Sequence, residues 1–147
     1  MLNFDSQTLA PKPPVYLYLL DVSHDAVQSG YLKLFTDILS EELDNLLGDS
    51  RTQIGFITYD SRVHFYNLAA SLKRPQQIIV TDIDDIYLPL PSGLLVELNG
   101  NKRLVIELLR HLDQRFTDTL ESHSALGAAL QVINEDILHY KYVSIGC

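Results

Sequence analysis

Val15-Tyr16-Leu17-Tyr18-Leu19-Leu20 is a continuous apolar run that stops at Asp21. Without polar alternation, such a run suits a strand covered on both faces, central in a mostly parallel sheet. Asp21-Val22-Ser23-His24-Asp25 then reads as a polar turn, and a helical pattern follows it. Tyr31, Leu34, Phe35, Ile38, Leu39, Leu43, Leu46 and Leu47 keep i, i+3, i+4 spacing, with Gly48 placed as a left-handed cap. Gln53–Tyr59 predicts a second apolar strand. Asp60-Ser61 is a tight connection to Arg62–Asn67, which alternates with Val63, Phe65 and Asn67 on one side. That predicts a hairpin with one antiparallel edge strand.

Further on, Ile78-Ile79-Val80 is a short β segment, and Pro89 and Pro91 make 82–91 a loop. Asn101 is a candidate cap for a helix through about Phe116, with Leu104, Leu108, Leu109 and Leu112 inward. Another helix is expected from Ser122 or Ser124, packing Ala125, Leu126, Ala129, Leu130 and Ile133, with close approach at Gly127. Tyr140–Ile145 alternates weakly and is a candidate last strand. The pattern is α/β. Its first crossover is expected to be right-handed. Ligands of such sheets gather beyond the C-terminal strand ends, so residues 21–30 are the first place to look for chemistry.

The 147 residues and 16.6 kDa suit one domain. A net charge of −8 argues against a nucleic-acid platform and against holding an anionic membrane by charge. One cysteine excludes an internal disulfide framework or a Cys-rich zinc site, and it suits a reducing compartment. No apolar run approaches the ~18 residues of a transmembrane helix. The N-terminus shows no signal-peptide pattern. A cytosolic domain or fragment is the expectation.

Asp21, Ser23 and Asp25 resemble the first metal loop of von Willebrand factor A domains, Asp-x-Ser-x-Ser, in which oxygen ligands hold Mg²⁺. Here Asp25 replaces the second hydroxyl, so the loop is degenerate and no metal is expected. A polar strand-end loop capping a helix is the favoured reading. His24 and His123 with Asp21 and Asp25 offer a zinc-like donor set, but without the spacing of a zinc motif. Asp21 as a phosphoester nucleophile lacks the second acidic residue or the phosphate loop that such chemistry needs. A Ser–His–Asp hydrolase lacks a Gly-x-Ser-x-Gly elbow. The most unusual segment is Asp82-Ile83-Asp84-Asp85-Ile86-Tyr87-Leu88-Pro89-Leu90-Pro91. Asp82, Asp84 and Asp85 suit a basic partner, and Tyr87 suits a desolvated anchor. A solvated acidic turn explains the same residues equally well.

Several stretches in order carry a family signal. Residues 14–24, Gly30-Tyr31-Leu32, residues 51–61, residues 64–68, residues 82–85, Thr117, residues 123–127 and Ala129-Leu130-Gln131 resemble the trunk domain of the cargo-adaptor subunit of the COPII inner coat. The resemblance implies a von Willebrand factor A-like fold, Rossmann-like and incomplete, without a working metal site or catalysis. It implies pairing with the trunk of the smaller inner-coat subunit. That heterodimer acts on endoplasmic reticulum exit membranes in cargo selection for transport to the Golgi, with cargo bound only through the full-length subunit. The family's zinc ribbon has no counterpart here, and no cofactor is expected in this chain.

The resemblance divides the chain into an extended lead-in at 1–13, a partial trunk at 14–131 and a divergent tail at 132–147. The family continues into another core strand where this tail begins, so a C-terminal truncation is expected. Losing later strands would leave the first strand an open edge unless Tyr140–Ile145 fills the gap. The alternative function is a metal-dependent A-type domain that binds a ligand carboxylate through Mg²⁺ at Asp21 and Ser23.

Overall fold

The computed structural model describes residues 13–90, 92–137 and 144–146. Most of the lead-in, Pro91 and residues 140–143 of the candidate last strand lie outside the described residues. Strands β1 (Val15–Asp21), β2 (Gln53–Tyr59), β3 (Val63–Asn67), β4 (Gln76–Val80), β5 (Val96–Glu97) and β6 (Ser144–Gly146) form one sheet. Its order is β4-β3-β2-β1-β6, with β5 also paired to β2. The helices are α1 (His24–Gln28), α2 (Tyr31–Glu42), α3 (Leu98–Phe116) and α4 (Leu126–Val132).

The first apolar run is the interior strand its composition predicts. Val15 through Asp21 pair in parallel with Gln53 through Tyr59. On the other side Tyr16, Leu17 and Tyr18 pair in parallel with Ser144, Ile145 and Gly146. The tail therefore fills part of the gap beside β1. Leu19, Leu20 and Asp21 extend past β6, with no strand partner on that side among the described residues.

Both faces of β1 are covered. Leu20 joins Ile54, Phe56 and Tyr66 under α2 and α3, and Tyr18 packs its ring 5.5 Å from Phe56 and 5.3 Å from Phe35. Leu17 and Leu19 join Ile57 and Phe65 beneath Ile86, Leu90, α4 and the single π-turn Ile133–Ile137.

Tertiary packing revises several local expectations. The hairpin forms, with Ile57, Thr58 and Tyr59 opposite Phe65, His64 and Val63. However, β3 is not the edge, because β4 adds antiparallel outside it along its whole length. The face of β3 carrying His64 and Tyr66 is buried as fully as the Val63 and Phe65 face. Helix α2 turns a different stripe inward: Leu32, Thr36 and Leu39 are buried, while Leu34 and Ile38 are exposed. Its regular part ends at Glu42 in a 3-10 turn, so Gly48 (φ 135°) serves the following turn rather than the helix cap.

Asn101 is not a cap either. Helix α3 starts earlier, with Glu97 of β5 at its cap position and the Leu98 N–H donating to the Thr52 carbonyl at 2.8 Å. The Asn101 side chain donates back to the Glu97 carbonyl at 2.8 Å. Gly127 has open space where its Cβ would lie, so no close approach occurs there.

Gly55 does meet such an approach. A Cβ there would sit 2.6 Å from the Leu94 carbonyl oxygen and 2.8 Å from Leu95 Cδ2. It lies in β2 next to the residues that β5 pairs with, where the 94–97 segment crosses closely. Gly55→Ala is therefore expected to destabilise the domain by about 1–3 kcal/mol through overpacking. A urea midpoint equal to that of the unsubstituted chain would show that the segment yields freely.

Candidate functional site

The C-terminal strand ends are closed by the chain itself. The Val22 N–H donates to the Tyr59 carbonyl at 2.9 Å, and the Ala125 N–H donates to the Asp60 carbonyl at 2.6 Å. Asp21 Oδ1 accepts the Ser23 N–H at 2.8 Å. The Tyr31 hydroxyl donates to the Asp21 carbonyl, and burial raises that phenol well above its ordinary range. His24 donates its N–H to the Glu121 carbonyl at 2.7 Å and its Nδ1–H to the Thr119 carbonyl at 3.0 Å. Ser61 Oγ donates to Glu121 Oε2 at 2.7 Å.

Asp25 and His123 are exposed. Among the described residues, no three His, Cys, Asp or Glu side chains converge in a way that could hold a metal. The zinc-like set of His24, His123, Asp21 and Asp25 is thus not assembled. Asp21 and Ser23 share a turn that is hydrogen-bonded internally, with Ser23 preceding the short α1.

Beside this closure lies a polar cluster that the sequence pattern does not announce. Thr58, Asp60, His64 and Tyr66 are each at most 1% exposed. Thr58 Oγ1 is 2.8 Å from His64 Nδ1 and 2.8 Å from the Tyr66 hydroxyl. Gln77 Nε2 donates to that hydroxyl at 3.2 Å, and Arg115 Nη1 donates to Gln77 Oε1 at 3.2 Å.

These contacts fix a direction. Because Gln77 donates to Tyr66, the Tyr66 proton has Thr58 Oγ1 as its acceptor, and the Thr58 proton goes to His64 Nδ1. The reverse order would leave the buried Tyr66 proton without an acceptor. His64 is then neutral with its proton on Nε2, facing Asp60 Oδ1 at 3.4 Å. Its ring also packs 5.3 Å from that of Phe116. The only sequence signal for this cluster is the pair Asp60 and His64, four residues apart across a turn. It does not reveal that Thr58 and Tyr66 share their face.

The acidic loop is built differently. Ile86 and Leu90 are buried in the face under α4, and Ile83 and Leu88 pack against the same cluster. The Leu88 N–H donates to Asp136 Oδ2 at 2.9 Å. Between these anchors Asp82, Asp84 and Asp85 are exposed, and Tyr87 is 64% exposed. The loop follows β4 and brings charges and ring together on one rim of the sheet.

Comparison with known proteins decides the family. A family model described as the Sec23/Sec24 trunk domain matches residues 11–141. The chain belongs to the Sec23/Sec24 trunk family. It is 57% identical over 121 residues to human protein transport protein Sec24B, a match covering 82% of this chain and 10% of the relative. It is 48% identical over 121 residues to Arabidopsis thaliana protein transport protein SEC24 A, covering 82% of this chain and 12% of the relative. The crystal structure of the human COPII-coat protein Sec24c superposes with a TM-score of 0.79 at 29% identity, covering 95% of this chain and 19% of that one. The trunk chain thus spans only 10–12% of the length of these sequence relatives.

The buried cluster gives this trunk a pH signature. Burial lowers the His64 pKa from its ordinary 6.5, as do Arg62 and Arg115, while Asp60 opposes them. A lowered pKa means the unfolded chain binds the proton more readily. Stability is therefore full above about pH 6.5 and falls as pH drops through the lowered folded value. Urea unfolding from pH 7.5 downward is expected to show this loss, with the His64→Gln chain losing less than the unsubstituted one. Equal pH profiles for the two chains would refute the assignment.

Proposed function

We propose that the chain works as a non-catalytic coat-protein trunk, by protein–protein contact and without a cofactor. Its family membership, and the relatives named as protein transport and COPII-coat proteins, support this reading. In it, the trunk pairs with the trunk of the smaller COPII inner-coat subunit. That pairing serves cargo selection and transport from the endoplasmic reticulum to the Golgi, on the cytosolic face of exit-site membranes. Among the described residues no helix is long and apolar enough to cross a membrane, so attachment is assigned to the assembled coat.

The observation that carries the contact surface is the anchored acidic loop. Asp82, Asp84 and Asp85 supply exposed charge on a backbone held by Ile86 and Leu90. Tyr87 supplies a large ring that costs little side-chain entropy to dock. A basic groove beside an apolar slot is the complementary partner surface.

Size-exclusion chromatography with the smaller subunit in EDTA is expected to give a one-to-one complex. Asp84→Lys with Asp85→Lys should weaken it by tenfold or more, since each like-charge contact costs about 1 kcal/mol or more at a rim. Tyr87→Ala should add to that loss. Unchanged affinity in these variants would remove the loop from the interface. A complex that forms only with added Mg²⁺, together with a Mg²⁺-raised melting temperature, would favour the A-type metal reading at Asp21 and Ser23 instead.

A further inference from the structure

Strand β4 ends the sheet on the side away from β1, and among the described residues it pairs only with β3. Its sequence is Gln76-Gln77-Ile78-Ile79-Val80, with no charge, proline or glycine. Natural edge strands are usually blunted by a lysine, a proline or a bulge within the strand, because free N–H and C=O groups recruit another strand. Pro75 directly precedes the strand and removes one N–H at that end, but none of these devices lies within Gln76–Val80. Ile79 is 45% exposed on it. The charges sit instead at its two ends and are opposite in sign. Lys73 and Arg74 precede the strand, Asp82, Asp84 and Asp85 follow it, and all five are exposed.

Both ends are held in place. The Lys73 and Leu72 carbonyls accept hydrogen bonds from Arg103 of α3 at 3.0 and 3.3 Å. The acidic end is fixed by the burial of Ile86.

We infer that β4 is a self-complementary edge that pairs antiparallel with β4 of a second copy of this chain. Antiparallel pairing across a two-fold axis at Ile78 sets Gln76 against Val80 and Gln77 against Ile79. The same register sets Arg74 of each copy against Asp82 of the other, and brings Lys73 towards the rest of the acidic run. A parallel arrangement would put like charges together at both ends, so the charge pattern selects orientation as well as partner. The occupant is a second copy because one strand carries both halves of the complement, as an isologous contact requires. The surface does not depend on the heterodimer reading above. It shares Asp82, Asp84 and Asp85 with that reading, so the two modes of association exclude each other.

Sedimentation velocity on the chain alone, over micromolar to submillimolar concentrations, is expected to show a reversible monomer–dimer equilibrium weakened by salt. Lys73→Glu with Arg74→Glu makes both ends acidic, and Asp82→Lys with Asp84→Lys makes both ends basic. Each variant alone should raise the dimer dissociation constant about tenfold or more. An equimolar mixture of the two should restore association as a mixed dimer. Ile79→Lys, at an exposed position, should hold the chain monomeric with an unchanged circular dichroism spectrum. A monomer at every concentration would overturn the inference, and so would a dimer indifferent to these charge changes. Binding to the smaller coat subunit is measured separately, and a monomer at every concentration leaves that reading standing.

Discussion

Backbone pairing of β1 is the constraint on which the other elements depend. With Leu17 and Leu20 shut off from solvent, its N–H and C=O groups need partners within the chain. On one side β2 pairs along the whole strand. A parallel neighbour cannot be reached by a tight turn, and α1 and α2 supply the crossover. On the other side β6 returns from the far end of the chain to Tyr16–Tyr18. Helices α2 and α3 cover one face of the resulting sheet. The acidic loop, α4 and the π-turn cover the other.

That closure determines where the molecule can meet others. At the strand ends, where a related α/β sheet would hold a ligand, the polar groups of residues 21–24 and 119–125 are bonded to one another and to the β2–β3 turn. The neighbouring cluster of Thr58, Asp60, His64 and Tyr66 ties the β2–β3 turn to β4 and α3 through Gln77 and Arg115. It stiffens the sheet near its β4 side. Groups exposed for contact at the rim include the β4 edge, its flanking charges and Tyr87.

Much of this architecture is legible in the residues alone. The uninterrupted apolar composition of residues 15–20 and 53–59 has few alternatives to buried strands, and both strands occur with those cores. The loop character of the acidic segment follows from its prolines. Other positions resist local reading for identifiable reasons. Helix α2 carries more apolar residues than one face can bury, so periodicity alone does not choose Leu32 over Leu34. Helix α3 starts at Leu98 because Thr52, far away in sequence, accepts its first N–H. Asn99 and Gly100, both poor helix formers, hide that start. His64 and Tyr66 read as the polar side of an alternating strand, yet α3 and β4 bury them.

Strand–helix–strand order, the central strand and the family are written locally into the chain, because apolar runs, turn residues and motif order need no distant partner to be recognised. Which helix stripe faces inward, the outer position of β4, the return of β6 to β1 and the assembly of the buried Thr58–His64–Tyr66 chain are settled at the tertiary level. Each of these depends on contacts between residues distant in sequence. Their energies come from surfaces and hydrogen-bond partners that exist only once the layers have met.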